Sequence, residues 1–197
     1  MTTAGVDPRI DAVLAFWFGA PGEAHHGRSR PEWFRKDLAF DEAIRQSFGP
    51  VVDEALAGGL GDWPASDRGA LALVLVCDQF PRNLFRDDAH AFALDPRALA
   101  LARELVAAGR DLRFSPLERW FLYLPFEHAE SLDDQREAVR LIGLLREDPQ
   151  AGGALEWAVK HLVVVERFGR FPHRNAALGR TSTDEERAFL AQPGSRF

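Results

Sequence analysis

Start and stop signals for helices punctuate this chain at short intervals, and no segment between them alternates apolar and polar residues as a strand does. Asp7-Pro8 reads as an N-cap and first helical residue, with Gly19 as the stop. Ile10, Val13, Leu14 and Trp17 recur between them at helical spacing. Asp95-Pro96 opens another helix that Gly109 closes, and Ser115-Pro116 opens a third, with Glu118 at the capping-box position. Ser131 with Asp134 opens a helix expected to run to about Arg146. Residues 155–168 form one stopped by Gly169, and Ser182 or Thr183, with Glu185 or Glu186 three residues on, opens a short C-terminal helix. Residues 31–39 and 40–48 also carry apolar side chains three and four apart. Gly49-Pro50 predicts an end there, with a short helix to follow over 51–57. Asp67 is predicted to cap a buried helix reaching Val76, while the polar Gly- and Pro-containing stretch 19–30 reads as a loop. The expectation is an all-α fold, a single domain over 1–197 with eight to ten short helices in antiparallel pairs.

Charge and cysteine content narrow the function. With 24 basic and 30 acidic residues the net charge is −6, so nucleic acid is not an expected partner. The lone Cys77 excludes an internal disulfide framework and a cysteine-based zinc site, and it reads as a buried thiol at the end of an apolar run. That run, 70–77, is too short to cross a membrane, and the first residues lack the pattern of a secretion signal, so the expected address is cytoplasmic. There is no Walker loop, no dinucleotide-binding glycine fingerprint and no Gly-x-Ser-x-Gly elbow, and no cofactor is expected. The tryptophans are expected mostly in the core, with Trp63 as a loop plug ahead of Pro64. The oligomeric state stays open.

Three segments set polar residues beside apolar ones. In Cys77-Asp78-Gln79-Phe80-Pro81-Arg82-Asn83, Asp78 and Arg82 are four apart and pair if the helix continues, while Pro81 bends or ends it. In Tyr123-Leu124-Pro125-Phe126-Glu127-His128-Ala129-Glu130, Pro125 lies within a helical pattern and predicts a kink. Glu127 and His128 sit about 100° apart on that helix, too far for one tight dyad but able to line one pocket. The third segment runs from His161 to Arg180, centred on Arg167-Phe168-Gly169-Arg170-Phe171-Pro172-His173-Arg174-Asn175, a basic loop in an acidic protein. His128, His161 and His173 with Glu127 or Asp78 would suffice as nitrogen and oxygen donors for a metal. No two histidines have a local ligand spacing, however, and no metal site is assigned.

These strings, together with Phe16-Trp17-Phe18-Gly19, Trp33-Phe34, Leu178-Gly179-Arg180 and Ser182-Thr183, resemble the signature runs of the domain-of-unknown-function family 924, in order and over nearly the whole chain. The resemblance implies a tetratricopeptide-like array of helical hairpins. It supplies no catalytic residues, because the family has no assigned activity.

Two functional readings follow. In the first, stacked helix pairs form a groove that binds a small anionic ligand or a peptide through Arg82, Asn83, Arg167, Arg170, His173, Arg174 and Asn175. In the second, the chain is a small-molecule enzyme. His128, His161 or His173 acts as general acid or base, Asp78 or Glu127 orients it, and an arginine stabilises developing charge. The first predicts converging arginines over an apolar hollow, and the second a histidine within hydrogen-bond reach of a carboxylate. A third possibility is a polar core with a purely structural role.

Overall fold

Asp7 accepts a hydrogen bond from the Arg9 main chain, and helix α1 (Pro8–Phe18) runs from it to Gly19, as the punctuation predicts. Gly19 takes φ +85°, and a Cβ there would meet the His26 main chain at 2.8 Å, so only glycine fits this exit. The computed structural model describes residues 7–195; the six residues before and the two after, which the expected 1–197 domain includes, lie outside the described residues. The stretch expected as a helix over 31–39 is instead a single 3-10 turn, Pro31–Trp33, followed by a new N-cap at Asp37.

Helix α2 (Leu38–Leu56) corrects a second expectation, because it passes through Gly49-Pro50 without stopping. An interior proline costs about 3 kcal/mol. Burying Val51 and Val52 beyond it, on the face shared with Ile44 and Phe48, returns roughly 1.5–3 kcal/mol per side chain and outweighs that loss.

Ser66, rather than Asp67, caps helix α3 (Asp67–Val74), its side chain accepting from the Gly69 main chain. Every residue from Gly69 to Phe80 is buried, and α3 packs against α1 and, further along the chain, α5 (Asp95–Ala107) and α6 (Pro116–Glu127). The chain does not stop near Val76. It widens into a π-turn, Leu75–Gln79, in which the Phe80 main chain donates to the Leu75 carbonyl, and re-tightens as α4 (Phe80–Leu84). Pro81 has no N–H to give and its ring crowds the preceding turn, and the wider turn accommodates both.

The capping box of Ser115 and Glu118 opens α6, which continues through Pro125 to Glu127. Gln135, fully buried on α7 (Leu132–Gly143), donates to the carbonyls of Glu127 at 2.5 Å and Ala129 at 2.7 Å and so fixes the end of α6. Helix α7 stops short of the expected Arg146. Helix α8 (Ala154–Phe168) ends at Gly169 in the left-handed region, and α9 (Asp184–Leu190) begins with a Thr183–Glu186 capping box. Helices α6, α7 and α8 pack on one another in turn. The core gathers Trp17, Trp33, Phe40, Phe80 and Phe121, with Trp33 and Phe121 rings 4.7 Å apart. Trp157 departs from the expected core tryptophans and is half exposed on α8. All the described helical and turn segments are α, 3-10 or π, and among the described residues there is no strand.

Candidate functional site

The buried central helix delivers its C-terminal turn, Asp78 and Gln79, to a region out of contact with water. Asp78 is fully buried, yet it is well satisfied. The His128 Nδ1–H donates to its two carboxylate oxygens at 2.7 and 2.9 Å, and Gln79 Nε2 donates to Oδ2 at 2.5 Å. Arg82, one turn on, donates from Nη1 to the Asp78 main-chain oxygen and stands 3.5 Å from Oδ1, the pairing expected if the helix continued. Burial pushes the Asp78 carboxyl upward, but Arg82 and then His128 outweigh it and hold it down at about 2. His128 lies at the C-cap of α6. Burial and Arg82 depress its ring below the usual imidazole range, against the pull of Asp78. At neutral pH the ring is therefore uncharged, with its proton on Nδ1 and a lone pair on Nε2.

Glu127, the neighbouring residue, turns to a different histidine, as its angular offset requires. Its Oε1 is 3.0 Å from His161 Nδ1, and that nitrogen is also 2.9 Å from the Trp157 carbonyl one turn back on α8. Burial, and next the Asp78 charge, push the Glu127 carboxyl up to about 8. Burial, and next His128, push His161 down to about 3. The His128 and His161 rings are 6.2 Å apart between centres, so two histidine–carboxylate couples stand side by side.

The third polar segment arrives through Phe171, whose ring lies 5.5 Å from His161 and 5.6 Å from His173. Glu130 fixes this loop, accepting from the Phe171 main chain at 2.7 Å and from both terminal nitrogens of Arg180. Arg174 is buried, with its guanidinium 4.7 Å over Phe92 and 4.6 Å over Phe171. Its Nη1 makes one long contact, 3.3 Å, to Asp95, and its buried Nε has no partner. Arg82 takes both oxygens of the same Asp95, at 2.9 and 3.0 Å. Burial, and next Arg82, lower Arg174 to about 10, while burial and then Arg174 lower His173 to about 3.

Asp78, Arg82, Glu127, His128, His161, His173 and Arg174 therefore meet, as the sequence suggests. Four other candidates are engaged elsewhere. Arg167 pairs with Glu185, Arg170 with both oxygens of Glu186, and Asn175 with Ser182 and Glu186, all fastening α9. Asn83 donates to Asp41, which also holds Arg86, and it lines a separate surface cavity of about 480 Å³ with Lys36 and Arg45. Asp95 and Phe92 are the members that sequence reasoning missed. Asp95-Pro96 reads as a cap, but Leu94 occupies the cap position, so the Asp95 carboxylate is free to bind arginines. No group of three or more His, Cys, Asp and Glu among the described residues has the geometry to hold a metal ion. Among the same residues no helix is long and apolar enough to cross a membrane.

Fold and site together define an all-helical protein with paired histidine–carboxylate couples at the end of a buried central helix. The chain matches a bacterial protein family of unknown function, DUF924, over residues 13–194, and it belongs to that family. It is also similar to a solved structure of a protein of unknown function from Agrobacterium tumefaciens. The two are 39% identical, with a TM-score of 0.80, over 93% of this chain and 97% of that one. No curated protein matches the chain.

Proposed function

We propose that the chain is a small-molecule enzyme that works by general acid–base catalysis, with His128 as the base, Asp78 as its orienting carboxylate and a small anion as substrate. The observation that carries this reading is the double contact of His128 Nδ1 with a fully buried, ionised Asp78. It locks the tautomer that leaves Nε2 basic and stabilises the imidazolium once a proton is taken. The side chains of His128, Asp95 and Arg82 are 14%, 18% and 22% exposed, and they form the approach from solvent.

Pure anion capture is the weaker reading, because most arginines near the site already hold carboxylates: Arg82 with Asp95, Arg180 with Glu130, Arg170 with Glu186. Arg174 is the exception, with one long contact and an unused Nε, and it is the group to which the substrate's carboxylate or phosphate is assigned. Such a substrate, and the cytoplasmic address expected from the sequence, belong to one reading of a soluble metabolic enzyme.

A thermal-shift screen against small carboxylates and phosphate esters tests it. A ligand at about 100 times its Kd adds about 2.7 kcal/mol of stability. The shift should persist in His128→Gln, which keeps the anion contact, and disappear in Arg174→Gln or, if that variant is unfolded, weaken in Arg174→Lys. A screen with no stabilising anion would overturn the reading.

A further inference from the structure

We infer that the anion this site takes is a carboxylate, held along the Nε–Nη2 edge of Arg174, and that phosphate is turned away; the inference rests on the acid–base reading above and narrows its substrate to small carboxylic acids. A guanidinium carries five N–H bonds, of which Nε–H and one Nη2–H run parallel and match the two oxygens of a single carboxylate. Arg174 leaves that edge unused. Its Nη1 reaches Asp95 at 3.3 Å, its only hydrogen bond among the described residues, and its Nε is buried without a partner. Asp95 is itself shared, because both its oxygens accept from Arg82 at 2.9 and 3.0 Å. The Phe92 and Phe171 rings beside the guanidinium offer no acceptor beyond their π faces. An arriving carboxylate completes a buried cation that the fold leaves short of partners.

Charge separates carboxylate from phosphate. The acids acting on Arg174 are Asp95 on α5, Glu130 beyond α6 and Asp78 on the π-turn, and the cation opposing it is Arg82 on α4. Arg82 stands between two of these acids, 2.9 Å from Asp95 and 3.5 Å from Asp78, and Arg180 holds Glu130 at 2.6 Å. Asp78, Asp95 and Glu130 thus already balance Arg82, Arg174 and Arg180, and each further negative charge is in excess. A carboxylate brings one such charge, whereas a phosphate ester brings about −1.5 to −2 at neutral pH. The parallel N–H pair also serves both oxygens of a carboxylate, while a phosphate keeps further oxygens to be satisfied beside phenyl rings that have no donor. Contacts run unbroken from this edge to the base, from Arg174 to Asp95, Arg82, Asp78 and His128. A carboxylate on Arg174 is therefore held in the same cluster as His128.

Matched probes test the inference on the folded wild type: pyruvate against acetylphosphonate, and propionate against methyl phosphate, at about pH 8, where the phosphorus acids are mostly dianions. The readout is the Arg174 Nε–H resonance, assigned by triple-resonance NMR. At least one carboxylate should move it downfield on saturation, and its phosphorus analogue should bind at least about tenfold more weakly. Arg174→Lys, which keeps the charge and loses the fork, should bind that carboxylate about tenfold more weakly as well. A phosphorus analogue that shifts the resonance as readily as its carboxylate overturns the inference and leaves Arg174 as the anion contact. A carboxylate that moves the His128 ring signals but not Arg174 Nε–H overturns the inference and leaves the base standing. No binding by any of the four also overturns it, and the wider anion screen then decides the acid–base reading on its own.

Discussion

Asp78 exposes no surface to water and still keeps its charge, because His128, Gln79 and Arg82 supply donors in place of water. Removing one partner from such a pair strands the other. Asp78→Asn should therefore destabilise the fold by about 3–5 kcal/mol, read from denaturant midpoints, and should release the His128 tautomer. Glu127 is the converse case. Its folded-state carboxyl is raised to about 8, above its unfolded value, so the stability it contributes is complete below about pH 4.5 and is lost as pH rises through 8. Glu127→Gln does not ionise. It should match the wild type near pH 4.5 and exceed it above pH 8 by an amount on the order of 4 kcal/mol, seen in unfolding curves across that range. An advantage that does not grow with pH would show that Glu127 is ionised throughout. Both residues stand out in the sequence as polar groups in apolar runs. Their opposite protonation does not, because it depends on which histidine each one meets across the fold.

At the scale of elements, helix starts were the most legible feature. Asp7, Ser115, Ser131 and Thr183 all accept main-chain hydrogen bonds as their local patterns predict. Ser115→Ala should cost about 1 kcal/mol in chemical denaturation without altering the site, since that cap lies at the far end of α6 from His128. Prolines were read less well. Pro50 and Pro81 are local breakers, but the apolar faces around them are buried on both sides, and tertiary burial carries α2 and the central helix onward. Pro81 also explains the π-turn that presents Asp78. Pro81→Ala restores a main-chain donor and should let the turn tighten, moving the His128 Nδ1 proton resonance while the protein stays folded. An unmoved resonance would mean that packing alone holds the wider turn.

Across the whole molecule, the all-α class was readable from punctuation, whereas the three polar segments stood out one by one and only the functional readings required them to meet. What could not be read was the division of the arginines. Arg167, Arg170 and Asn175 share a string with His173 and Arg174, yet they fasten α9 through Glu185 and Glu186, eleven to eighteen residues further along the chain. A single string crosses from scaffold to site within a few residues, and only the fold shows where. The buried histidines shape the acid side of the stability profile. His161 and His173 are both lowered to about 3, so the stability they contribute is full above their unfolded value of about 6.5 and is lost as pH falls toward 3. The central claim concerns His128, and nitrogen-15 NMR of its ring at neutral pH tests it most directly. The account predicts a neutral imidazole protonated on Nδ1, with an unprotonated Nε2, and loss of that signature in Asp78→Asn. A ring protonated on Nε2, or an imidazolium at neutral pH, would contradict it.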